Sequence, residues 1–324
     1  MIQRTPHPFT KLTRRMLPFA DAASRDLPIG QLLRLSLFQV SVGLASVMLL
    51  GTLNRVMIVE LSVPAMIVAI MIALPVLIAP FRALIGFRSD TYRSAIGWKR
   101  VPFIWFGSLW QMGGLAVMPF ALLVLSDDQT VGPSWAGEVL AALAFLMTGL
   151  GLHMTQTAGL ALASDRATEE TRPRVVALLY VMYLLGMGLS ALLIGWLLRD
   201  FTNLTLIRVV QGAALAGLLL NLVALWKQEH VSPMTKEQRS APRPSFAKTW
   251  SAFMAEGTSA RLILVVFLGT LAFNMQDVLL EPYGGEILGL AVGQTTWLTA
   301  AWAFGALVGL AYAASRLKAG LSAY

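Results

Sequence analysis

"GFRSDTYRSAIGWKR", Gly86 to Arg100, is a polar and basic stretch set between two apolar runs, residues 62–85 and 101–125. Each run exceeds the roughly 20 residues that an α-helix needs to cross a hydrocarbon core. The stretch therefore reads as a loop at a membrane surface, joining two spans. Gly86 and Gly97 allow tight turns, and Asp90 can pair with Arg93 or accept from a helix N-terminus. Lys99 and Arg100 anchor the loop on the basic face. Together these six residues follow the pattern G-x-x-x-D-x-x-R-x-x-x-G-x-K-R.

The rest of the chain reads the same way. It is 56% hydrophobic and 13% charged, too few polar residues to cover a water-soluble globule. Eight apolar segments are long enough to span, approximately 31–54, 62–85, 101–125, 135–163, 175–198, 205–226, 260–281 and 294–315. Their continuous apolarity fits helices, because barrel strands would be about ten residues long and alternating. The expected fold is an all-α polytopic membrane protein with eight transmembrane helices. Residues 1–30 form an N-terminal segment, 31–226 a six-helix bundle, 227–259 a linker, and 260–324 two helices of a second half. In the linker Phe246, Trp250, Phe253 and Met254 share one helical face, which suits either the membrane surface or the protein.

All of the 25 Lys and Arg except Arg55, Arg199 and Arg208 fall on one side of this topology. The positive-inside rule makes that side, with the N-terminus, cytoplasmic. The net charge of +8 then reflects topology and anionic lipid, and no nucleic-acid partner is expected. No cleavable signal peptide is expected, because the first span begins only after about thirty residues and has no small-residue cleavage site. With no cysteine, thiol chemistry and iron-sulfur ligation are excluded. No phosphate-binding loop, paired-His zinc motif or nucleophile elbow occurs, so neither an enzyme nor a free metal ion is expected.

Two sets of intramembrane polar residues stand out. In "FNMQDVLLEPYGGE", Phe273 to Glu286, the side chains of Asn274, Asp277 and Glu281 share one helical face while Gln276 points elsewhere. Acids this close to lipid need a partner or a purpose. Arg55 and Glu60, at the same end of span one, are charge partners for them in a structural reading, and proton coupling is another. In "GLGLHMTQTAG", His153 shares a face with Gln156 and Thr157, and Gly149 and Gly151 allow a ring or a helix to approach closely. A helix-to-helix hydrogen bond and ligation of a metal-centred ring both suit the imidazole. "GTLNRVMIVEL" and "GTLAFNMQDVLLEP" read as a weak internal repeat between spans one and seven.

The loop from Gly86 to Arg100 resembles the signature cytoplasmic loop of the major facilitator superfamily. Together with "GTLNRVMIVEL", "APFRALIGFRSD", "GWKRVPFIWFG" and "QDVLLEPYGGE", the chain resembles the PucC/LhaA branch, the bacteriochlorophyll-delivery proteins of purple phototrophs. Its start, "RRMLPFADAAS", looks more like the LhaA type, associated with the core antenna. The resemblance implies an assembly factor that binds or delivers bacteriochlorophyll to light-harvesting 1 α and β polypeptides, with carotenoid or lipid as further ligands. It implies those polypeptides, the reaction centre and the bacteriochlorophyll synthase as partners, in a bacterial photosynthetic inner membrane. His153, Gln156, Asn274, Asp277 and Glu281 become the expected pigment-site residues. An ion-coupled small-molecule transporter and a pigment-free insertion chaperone remain as alternatives. The family has twelve spans where eight are counted here, so alternating access between two full halves is not expected of this length of chain alone.

Overall fold

The computed structural model describes residues 19–24, 27–78, 81–92, 94, 97–125, 133, 135–229, 233, 235, 244–255 and 257–318. Arg93 lies outside the described residues, and so does the side chain of Asn274. The helices are α1 (Ile29–Glu60), α2 (Ala65–Ile78), α3 (Arg82–Asp90), α4 (Val101–Leu125), α5 (Ala136–Arg166), α6 (Arg172–Leu197), α7 (Asn203–Leu225), α8 (Phe246–Ala255), α9 (Thr258–Glu286) and α10 (Val292–Lys318). No strand occurs among the described residues. Eight helical segments are long and apolar enough to cross a membrane, with α2 and α3 together making the second. The protein is an all-α polytopic membrane protein.

The chain runs back and forth between two ends. One, the basic end, carries Arg82, Arg88, Lys99, Arg100, Arg166, Arg172 and Arg174. The far end carries Arg55, Arg199 and Arg208. Span one is longer than its apolar run suggests, because the helix continues through Asn54 and Arg55 to Glu60. Those two residues are buried by neighbouring helices, so their polarity does not end the span.

Small residues set the packing. In lipid, helices associate through close van der Waals contact, which favours glycine at the seams. Gly107 and Gly114 on α4 press on the α5 backbone, and Gly151 on α5 presses back on Gln111. Gly149 meets Pro75 of α2, and Gly186 of α6 meets the backbone of Val40. Gly149 and Gly151 therefore receive neighbouring helices, not a flat ring. The centre of the bundle is α1, which touches α5, α6, α7, α9 and α10. Its second half, Val47–Leu53 and Val56–Glu60, widens to π-helical i→i+5 bonding, a distortion frequent at functional sites.

Helix α9 is the opposite of α1. Residues 261–272 are exposed, with Thr270 bordering a cavity beside α1, and burial of α9 begins near Asp277. Helix α8 buries none of its residues. Phe246 meets Phe87 of α3 edge to face at 5.4 Å, while Trp250, Phe253 and Met254 are exposed. The apolar face read in the linker is thus attached at one residue and open along the rest.

Candidate functional site: a polar cluster behind a lateral cleft

The last turns of α9 carry the polar residues, and α1 and α10 enclose them. Glu281 is fully buried. Thr299 Oγ1 donates to its Oε1 at 2.5 Å, and Thr296 Oγ1 lies 3.3 Å from Oε2. Thr296 and Thr52 of α1 are hydroxyl partners at 3.3 Å. Gly51 presses directly on the Glu281 carboxyl group, where any side chain on α1 would displace it. Asp277, one turn earlier, is partly buried and borders a small gap with Ser46, Gly51, Thr299 and Trp302. Interhelical hydrogen bonds of this kind contribute about 0.6 kcal/mol each on average, so the cluster orients α9 more than it stabilises it.

The expected charge partners behave differently. Arg55, 3% exposed, pairs with Glu60 on its own helix and donates to the Leu290 carbonyl at 3.0 Å. Among the described residues no cation lies within ion-pairing distance of Asp277 or Glu281. Arg55 instead holds the turn after α9 against the end of α1, and Gly285 leaves room for its guanidinium. The two repeat-like segments are neighbours, but not in register: Gly51 meets Glu281, and Gly269 meets nothing.

Asn54 joins α1 to α9. Its Nδ2 donates to the Leu50 carbonyl at 3.0 Å and to the Val278 carbonyl at 2.7 Å. Asn54 also forms part of the wall of a cleft of about 640 Å³ between α1, α2 and α9. Ala65 and Ala69 of α2 face Gln276, Leu279, Tyr283 and Glu286 of α9 across it. Met66, Leu279, Tyr283 and Ile287 are largely exposed at its rim. Gln276 and Glu286, also exposed, add polar groups to the same wall.

His153 lines a second cavity of about 280 Å³ with Pro75, Arg82, Phe145, Gln156 and Tyr183. Two of the three residues on the expected face are already committed. Arg82 donates to Gln156 Oε1 and to Thr157 Oγ1, both at 2.9 Å. Arg82 is one of the cations that the sequence places on the basic side. A cation placed just after an apolar run reports topology, and its reach back to α5 is not visible in sequence.

At the basic end the loop residues converge on Arg100, which is buried. Its guanidinium pairs with Asp90, donates to Asp165 at 3.0 Å and Ser89 at 2.5 Å, and approaches the Gly86 carbonyl at 3.4 Å. Gly97 has φ +86°, a left-handed conformation that glycine adopts without penalty. Lys99, Arg100 and Val101 donate their backbone N–H groups to the Glu229 carboxylate at 3.0–3.3 Å. A carboxylate at a helix N-terminus satisfies otherwise orphaned donors and complements the helix dipole.

Fold and site together define a polytopic membrane protein with a polar cluster inside the bilayer and a lateral cleft beside it. The chain belongs to the PUCC protein family, which residues 52–324 match. It is similar to an uncharacterized protein encoded in the puhA-bchM intergenic region of Rhodobacter capsulatus, 68% identical over 97% of this chain and 67% of that one. It is also similar to Protein PucC of Rhodovulum sulfidophilum, 56% identical over 94% of this chain and 68% of the relative. A more distant relative is the bacteriochlorophyll synthase 44.5 kDa chain of Rhodobacter capsulatus, 27% identical over 83% of this chain and 60% of its own length. The chain thus spans about two thirds of the two nearer relatives. The family expected from the quoted motifs is the family found.

Proposed function

We propose that the protein is a non-enzymatic assembly factor for photosynthetic antenna complexes, which holds bacteriochlorophyll within the membrane and passes it to the light-harvesting 1 α and β polypeptides as they insert. The observation that carries this reading is the cleft between α1, α2 and α9. Its walls are largely apolar, and Asn54, Gln276, Tyr283 and Glu286 set a few polar groups among them. That design suits a cargo that travels in the bilayer and presents a few polar atoms. Membership of the PUCC family and similarity to a bacteriochlorophyll synthase chain support a pigment over another lipid-soluble cargo, with carotenoid or lipid as further ligands. The reaction centre and the synthase are the proposed further partners. The setting is a bacterial photosynthetic inner membrane, with the basic end cytoplasmic.

The test is an absorption spectrum of the protein purified in mild detergent from a bacteriochlorophyll-making host that lacks antenna polypeptides. Near-infrared absorption at about one pigment per chain is the expected result. Folded protein without pigment contradicts the reading and leaves a pigment-free insertion chaperone. A second reading, ion-coupled transport, draws on Glu281, a fully buried acid with hydroxyl partners. It predicts ion-driven uptake in proteoliposomes that Glu281→Gln abolishes.

A further inference from the structure

We propose that the cavity beside His153 is a binding site for an oxyanion, a carboxylate or phosphate group, and that Arg82 is the charge that receives it. The site is independent of the pigment reading, because this cavity shares no lining residue with the cleft between α1, α2 and α9.

The first support is a charge without a counter-charge. Arg82 donates Nε to Thr157 and Nη2 to Gln156, both of them neutral acceptors. It takes part in none of the ion pairs among the described residues, and no Asp or Glu lines the cavity. The two buried arginines are treated otherwise: Arg55 has Glu60, and Arg100 has Asp90 and Asp165. Asp277 of α9 borders a separate gap. Charges inside a span pair with one another or mark the path of a ligand, and a charge taken from water without a partner is costly. An anion in the cavity relieves that cost.

The second support is where the guanidinium goes. A long cation near the end of a span commonly snorkels, carrying its charge out to the interface. Arg82 reaches inward instead. Its acceptor Gln156 lies ten residues before Arg166 on α5, about 15 Å along the axis from the basic end. Two hydrogen bonds fix the group there and leave Nη1. That nitrogen has no partner among the described residues, and it is not one of the sealed unpartnered atoms. A guanidinium held in one orientation with donors to spare suits the oxygens of a carboxylate or phosphate.

The third support is the cavity itself. At about 280 Å³ it has room for roughly nine waters at about 30 Å³ each, which admits a headgroup and a few carbons. Leu49, Leu50, Ile72 and Phe145 make much of its wall apolar. Val76 of α2 and Thr270 of α9 border it and are exposed, so it is reached from outside the described bundle between those helices. One cation among apolar walls favours the head of an amphiphile over a free ion.

The experiment is native mass spectrometry of the delipidated chain in neutral detergent, titrated with oleate, with oleyl alcohol and with inorganic phosphate. Arg82→Gln removes the charge, Arg88→Gln removes an exposed cation of the same helix as a control, and Val76→Trp fills the cavity from its exposed wall. Thermal unfolding checks that each variant is folded. Oleate is expected to bind wild type at least about tenfold more tightly than oleyl alcohol. Arg82→Gln should abolish that preference, Arg88→Gln should keep it, and Val76→Trp should weaken oleate binding about tenfold. Competition by inorganic phosphate at equal concentration supports the site and assigns it to a free ion; no competition supports it and assigns it to an amphiphile. Equal binding of oleate and oleyl alcohol by wild type overturns the proposal, and so does an undiminished preference in folded Arg82→Gln. Wild-type oleate binding by folded Val76→Trp places the anion outside the cavity and overturns the site even where Arg82→Gln does not fold.

Discussion

The two ends of the bundle gather buried polarity around different groups. At the basic end, Arg100 has Asp90, Asp165, Ser89 and the Gly86 carbonyl, and Glu229 collects three backbone donors. At the far end, Glu281 takes hydroxyl groups from Thr296 and Thr299, and Arg55 has Glu60 and the Leu290 carbonyl. Single buried atoms without a partner occur at both ends, Arg34 Nε and Trp98 Nε1 at one and Arg55 Nε and Asn54 Oδ1 at the other. A saturated network specifies one arrangement and has no valence left for a ligand. The contrast is between an end centred on a cation with acidic partners and an end centred on an acid with hydroxyl partners.

The largest expected effect lies at the saturated end. Arg100→Ala leaves two carboxylates and a serine without their common partner. Because Asp90 and Asp165 are more than half exposed, solvent screens part of the loss, and about 2 kcal/mol of stability should go. Thermal unfolding in detergent reads this, and an unchanged midpoint would break the contrast at its firmer end. Next is the seam between α1 and α9. Gly51→Val should cost about 1–3 kcal/mol by overpacking against the Glu281 carboxyl group. The double variant with Glu281→Ala should recover most of it, since the two side chains compete for one space. Additive losses would show that Gly51 and Glu281 do not meet. Glu229→Ala should cost about 1 kcal/mol by uncapping α4, with Glu229→Gln intermediate because it keeps the acceptor oxygen. Smallest is Thr299→Val, at about 0.6 kcal/mol. A much larger loss in that variant would mean that the far end is a structural lock like the basic one.

The sequence carried most of the fold. Apolar run length located all eight spans, since crossing a bilayer sets the length of a helix regardless of its neighbours. It missed where span one stops: Asn54 and Arg55 look like a terminus until the helices that bury them are known. The residues of the Gly86–Arg100 loop were legible as a group, but not the pairing. Asp90 was assigned to Arg93 or a helix end, and its observed partner is Arg100. Glu229 lies 129 positions from the Arg100 N–H it caps, a separation that no local pattern bridges. For the candidate site, Glu281 and Asp277 announced themselves as acids in an apolar run. Their hydroxyl partners did not, although "GQTTWLT", Gly293 to Thr299, holds three threonines in a span, a signal of interhelical bonding. Asn54 appeared in a quoted motif only as a repeat position. What sets it apart is its bond across to the Val278 carbonyl of α9, which requires atomic positions to see.

The most direct test of the central claim is a cryo-electron microscopy difference map between pigment-loaded and pigment-free protein in nanodiscs. The account predicts flat density between α1, α2 and α9. Flat density against His153, with the cleft empty, would contradict it.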